Sequence, residues 1–106
     1  MIQVEFYPND LKLSIKGHAG HAEPGKDIVC AAASILYYTL CQSLTDSEDL
    51  LKKAGLIISM NEEESSVQAK PKKGSEATIQ HIFWVVLEGI QLLADDYPKN
   101  VTLDIA

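Results

Sequence analysis

A nucleophile and a base stand close together in one stretch of this chain. Gly17-His18-Ala19-Gly20-His21 leads through a Pro-containing linker to Gly25-Lys26-Asp27-Ile28-Val29-Cys30-Ala31-Ala32-Ala33-Ser34. A thiol attacks a carbonyl as the thiolate, and an imidazole within hydrogen-bond reach can take its proton. If Asp27 caps a helix that begins at Ile28, Cys30 is the third helical residue. Its sulfur then lies beside unpaired backbone N–H groups at the positive end of the helix dipole, which favour the thiolate and could hold an oxyanion. Ser34 follows four residues later, on the same helical face. Its hydroxyl either reaches the thiolate or a substrate carbonyl, or bonds back to the Cys30 carbonyl. Asp27 is read first as the cap, with the orientation of a histidine as a second role open to the same carboxylate.

The remaining chemistry-bearing residues read as structural. Cys41 lies eleven residues beyond Cys30, about 16 Å of helical rise, too far for a disulfide in a continuous helix. It is expected to pack as a small core residue. His81 has no site-like neighbour and reads as a surface or packing histidine. Glu62, Glu63 and Glu64 read as a solvated hairpin tip rather than a metal site.

The elements that must position Cys30 and His18 follow from periodicity. Residues 3–7 and 11–17 are strand signals around the turn Pro8-Asn9-Asp10, with Leu11, Leu13 and Ile15 facing the core and Lys12, Ser14 and Lys16 facing solvent. Residues 18–27 have no apolar period and form a loop. Residues 28–44, free of Gly and Pro, predict a largely buried helix. A short amphipathic helical piece is expected to reach Lys53 and stop at Gly55. Residues 56–60 and 65–70 read as strands, the second a polar one near an edge. Ser75 caps a helix to about Asp96, with Ile79, Phe83, Val86, Leu87, Ile90, Leu93 and Ala94 as its apolar stripe. Residues 101–105 form the last strand. The order β-β-α-β-β-α-β implies an α+β fold, a mainly antiparallel sheet of about five strands with two long helices packed on it.

With 106 residues the chain suits one domain, residues 1–106. Hydrophobic residues at 46% and charged ones at 23% exclude a disordered chain. No apolar run approaches the ~20 residues of a membrane span, and the N-terminus lacks the pattern of a signal peptide, so a cytoplasmic protein without membrane attachment is expected. A net charge of −6 opposes direct nucleic-acid binding. Two cysteines are too few for a disulfide scaffold. The helices are apolar over more of their circumference than so small a domain can cover, which predicts a homodimer with Trp84 and Tyr37 or Tyr38 as interface aromatics.

The pattern Gly-His-Ala, a Gly-containing loop, then Gly-x-Asp-Ile-Val-Cys-Ala-Ala-x-Ser resembles the ribosomal-processing cysteine protease family, Prp. The length, the two strands before His18 and the late long helix agree with it as well. The resemblance implies Cys30 as nucleophile and His18 as general base, with Gly17, Asp27 and Ser34 at supporting positions. It implies a substrate loop over residues 20–26, including Gly20, His21 and Gly25, and a homodimer without cofactor or metal. Its implied substrate is the N-terminal extension of a large-subunit ribosomal protein or, in phage relatives, a structural protein. Two other readings compete. One is a zinc module built from His18, His21 and Cys30, whose spacing matches no common zinc signature. The other is a catalytically silent assembly module in which Cys30 merely packs.

Overall fold

The structure, a computed structural model, describes residues 1–18, 20, 22 and 27–106. Five strands, β1 (Ile2–Tyr7), β2 (Lys12–Lys16), β3 (Leu51–Ser59), β4 (Glu64–Pro71) and β5 (Val101–Ile105), form one sheet in the order β3-β4-β2-β1-β5. The helices are α1 (Ile28–Asp46) and α2 (Glu76–Asp96). This is the expected α+β order. All neighbours pair antiparallel except β1 and β5, which are parallel.

The topology places both helices on one face. Strand β2 returns through α1 to β3, passing the position of β4, while β4 returns through α2 to β5, passing β2 and β1. The two crossovers start from antiparallel strands and travel in opposite directions across the sheet. Crossovers of one hand therefore land on the same side. That side buries Ile2, Val4 and Phe6 of β1, Leu13 of β2, and Val67 and Ala69 of β4 against Val29, Leu40 and Leu44 of α1 and Ile79, Phe83 and Ile90 of α2. The Phe6 ring stacks on Phe83 at 5.4 Å and meets the edge of Trp84 at 5.3 Å. A Cβ on Gly89 of α2 would stand 2.7 Å from Leu36 Cδ2 of α1, so the missing side chain sets how closely the helices approach. By length and apolar content both helices would pass for membrane spans, contrary to the reading of the sequence. Each instead turns one face to the sheet.

Three local expectations are corrected. The helix-prone segment to Lys53 is helical only as the end of α1 and a 3₁₀ turn, Glu48–Leu50; Leu51 to Lys53 already belong to β3. Propensity yields there to pairing, because Leu51 is buried opposite Pro71 and the Leu50 carbonyl accepts the Lys72 amide at 2.8 Å. Gly55 is a bulge residue rather than a helix stop. Leu51 pairs with Pro71 and Leu56 with Ala69, so five steps on β3 face two on β4. Ala54 takes φ +54°, and a Cβ on Gly55 would lie 2.6 Å from the Lys52 carbonyl oxygen and 2.8 Å from that of Lys70. Strand β4 lies near the edge, as read, with β3 outside it. Ser14 is buried, although it lies on the face away from the helices, level with Glu5 and Ser66.

Gly55→Ala is expected to lower Tm by about 5–10 °C, corresponding to roughly 1–2 kcal/mol of overpacking in a domain of this size, with unchanged far-UV circular dichroism. An unchanged Tm would show that the bulge accommodates a methyl group.

Candidate active site

Strand β2 and helix α1 deliver the two groups that the sequence singles out. Gly17 follows the last residue of β2 with φ +89°, and a Cβ there would collide with the Met1 carbonyl. Both constraints require glycine, and His18 is the next residue in the chain. It is solvent-exposed.

Asp27 is the N-cap of α1, in extended conformation with φ −84° and ψ 104°. Its Oδ1 accepts the amides of Val29 at 2.9 Å and Cys30 at 3.0 Å, and its Oδ2 accepts the Ala22 amide at 3.2 Å. Only 8% of Asp27 is exposed. One buried carboxylate thus joins the loop to the helix start, a contribution of about 0.5–2 kcal/mol for an N-cap. This cap revises an expectation. The first helical amides, anticipated as unpaired donors beside the thiol, include two that are already bound to Asp27. Cys30 sits in the first turn, half-buried, with Ser34 exposed one turn further on. Neither cysteine is in a disulfide, and Cys41 is buried. Burial pushes the Cys41 thiol up, opposed in part by a hydrogen bond with Tyr37.

His18, Cys30 and Ser34 come together at the junction of two recesses. One is a cavity of about 190 Å³ running from Gly17, His18 and Cys30 past Ala33, Ser34 and Tyr37 to the β3–β4 hairpin tip. The other, of about 520 Å³, opens beside Gly20, Ala22, Asp27 and Ala31. Gly20 therefore lines the second recess. His21 and Gly25 lie outside the described residues, and with them the His18-His21-Cys30 zinc set. Among the described residues no group of three His, Cys, Asp or Glu side chains is placed to hold a metal. His81 is exposed on α2.

Sequence reasoning missed the far wall of the first cavity. Met60, Asn61, Glu62, Glu63 and Glu64 line it, with Lys16 as the neighbouring cation. Nothing local in the hairpin signals this, because its position depends on β4 pairing with β2. Of the two tyrosines offered as interface aromatics, Tyr38 is exposed at 50%, as is Trp84 at 41%, whereas Tyr37 is buried at 3% and lines the cavity. Its spacing from Cys30, two helical turns, was the available signal.

A helix-terminal thiol and an exposed imidazole that line the same two recesses of a small α+β frame are groups that a cysteine hydrolase uses. The family model for cysteine protease Prp matches residues 1–102, and the chain belongs to that family; it is a cysteine protease. Its fold is that of a solved ribosomal processing protease Prp from S. aureus in complex with a covalently linked product peptide, at TM-score 0.84, 24% identity and full coverage of both chains. The same S. aureus protease in complex with a substrate peptide superposes at TM-score 0.78 and 22% identity, again over both full chains. SMU.848 from Streptococcus mutans matches at TM-score 0.69 and 30% identity, over 99% of this chain and 93% of that one. None of the curated protein sequences matches at a significant level.

The two thiols are expected to separate cleanly in alkylation. Iodoacetamide at neutral pH should modify Cys30 at least tenfold faster than Cys41, read by peptide mapping of the folded protein. Because folding raises the Cys41 thiol, its contribution to stability is intact below the unfolded thiol range. That contribution is lost as pH rises through the folded value. Cys41 labelling should therefore emerge only at alkaline pH or on unfolding. Equal rates at neutral pH would remove Cys30 from the site.

Proposed function

We propose that this chain is an endopeptidase in which Cys30 is the nucleophile and His18 its general base. In this reading a single domain over residues 1–106 removes a short N-terminal extension from a large-subunit ribosomal protein. The observation that carries it is the junction of the two recesses at His18, Cys30 and Ser34. A peptide lying across that junction has room on both sides of the scissile bond, as cleavage within a chain requires.

His18 takes the Cys30 proton and the thiolate attacks the scissile carbonyl carbon, forming a C–S bond. The tetrahedral intermediate collapses with loss of the amine, which receives the proton from His18. Water activated by His18 then hydrolyses the thioester and restores the thiol. Asp27 acts by fixing the start of α1 and the Ala22 backbone. With the Val29 and Cys30 amides committed to that carboxylate, the Ser34 hydroxyl serves as an oxyanion donor. No cofactor enters the sequence of steps.

The ribosomal substrate rests on the family and on the S. aureus relative, described as an essential ribosomal processing protease. Such a substrate places the enzyme in the cytoplasm. The homodimer in this reading is supported by apolar side chains left in solvent, among them Ile35 and Tyr38 on α1 and Trp84, Val85 and Leu92 on α2. The chain exposes 6517 Å², against about 5,800 Å² for a compact monomer of its mass.

Single-turnover cleavage of a peptide spanning the ribosomal extension, with the cut located by mass spectrometry, tests the assignment. Cys30→Ala and His18→Ala should each lower the rate by about a thousandfold or more while the circular dichroism spectrum is kept. His21→Ala should keep much of the activity. Loss of activity in His21→Ala with near-normal His18→Ala would reassign the base. In sedimentation, a species near twice 11.6 kDa is expected at micromolar concentration; only the 11.6 kDa species would reject the dimer.

A further inference from the structure

The far wall of the proposed catalytic cavity is the tip of the β3–β4 hairpin, at the edge of the sheet. Among the described residues β3 pairs with β4 alone, and Ser59 is its last residue. Beyond it the tip is organised by Asn61, whose Oδ1 accepts the amides of Glu63 at 3.0 Å and Glu64 at 2.8 Å. Pairing of β4 with β2, which runs to Glu64 opposite Lys16, sets where the tip stands, and a hydrogen bond ties it to the helix that carries Cys30. The Tyr37 hydroxyl donates to the Ser59 carbonyl at 3.3 Å.

We infer that Tyr37 is a positioning residue for substrate, holding the β3–β4 hairpin tip against α1 as the second wall of the peptide cavity. This deepens the protease reading and rests on it. Cys30, Ser34, Tyr37 and Cys41 follow one another at spacings of four, three and four residues, a single stripe along α1. The first three line the cavity and Cys41 is buried beneath them. The same rigid helix therefore carries the proposed nucleophile and the anchor of the opposite wall. A change in the hairpin's attachment alters the cavity width without moving the thiol. Burial, with the neighbouring Cys41, keeps the Tyr37 hydroxyl protonated well above the usual phenol range, so the donor persists through the working pH. The Tyr37 ring also meets Tyr38, its centroid 6.1 Å away in an edge arrangement, which restricts its tilt.

A wall that contacts the peptide before and during reaction contributes equally to ground and transition states, so loosening it raises KM and leaves kcat. Tyr37→Phe removes the hydroxyl and keeps the buried ring. It should raise KM for the ribosomal-extension peptide about fivefold, as loss of one hydrogen bond predicts, with kcat changed less than twofold. Hydrogen exchange of the 60–64 amides should accelerate by a similar factor, while exchange in β1 and β2 stays the same. Tyr37→Leu, which keeps an apolar side chain in the same space, should give the same pattern if Tyr37→Phe does not fold. A lowered kcat with unchanged KM, or unchanged exchange at the tip, would overturn the inference. If the wild-type protein leaves the peptide uncut, the substrate assignment fails, and tip exchange alone decides the role of Tyr37.

Discussion

The buried carboxylate of Asp27 is the contact on which the arrangement of this site depends. It accepts two amides from the first turn of α1 and one from Ala22, and so fixes where the helix begins relative to the segment that follows His18. Displacing the helix start by one residue would turn Cys30 by about 100° and bring a neighbouring alanine to the groove. An asparagine could keep part of the cap, but a carboxylate offers strong acceptors on both oxygens at once. A nearly buried charge is tolerated because the backbone amides of Ala22, Val29 and Cys30 donate to it, an arrangement that offsets its desolvation.

The histidine side is controlled by a steric constraint. Gly17 combines a left-handed φ with close passage over the Met1 carbonyl, so β2 ends at a fixed residue and the chain leaves the sheet at a fixed angle. A substituted residue there would add about 1–2 kcal/mol of backbone strain to the overlap. Because β1 and β2 are adjacent, the N-terminal residue itself shapes the exit toward His18. The two partners of the proposed dyad are thus set by different means, a hydrogen-bonded cap and an excluded side chain.

Much of this was legible in the sequence because it was local. The Asp27 cap, the helix start, the hairpin before His18 and the apolar stripe of α2 each follow from patterns a few residues long. The misread features all required knowledge of a distant partner. Residues 48–53 have helical propensity, yet Leu51 is claimed by Pro71 and the chain turns early into β3. Gly55 reads as a helix stop, whereas it lies in a bulge that only the pairing of β3 with β4 creates. Tyr37 could be taken for a surface aromatic because its hydroxyl partner, Ser59, lies 22 residues away across a crossover.

The cap also constrains the chemistry of the reaction. A helix N-terminus is an inviting oxyanion site because its first amides have no helical partners. Here the amides of Val29 and Cys30 already donate to a carboxylate, and the Ala31 amide closes the first helical bond to the Asp27 carbonyl at 3.1 Å. The helix terminus is therefore used to define geometry, leaving the developing negative charge to other donors. Ser34, the oxyanion donor of the proposed mechanism, lines both recesses one helical turn beyond Cys30 and takes no part in the cap. In the proposed mechanism, rigid placement of the nucleophile and stabilisation of the intermediate draw on different parts of the same helix.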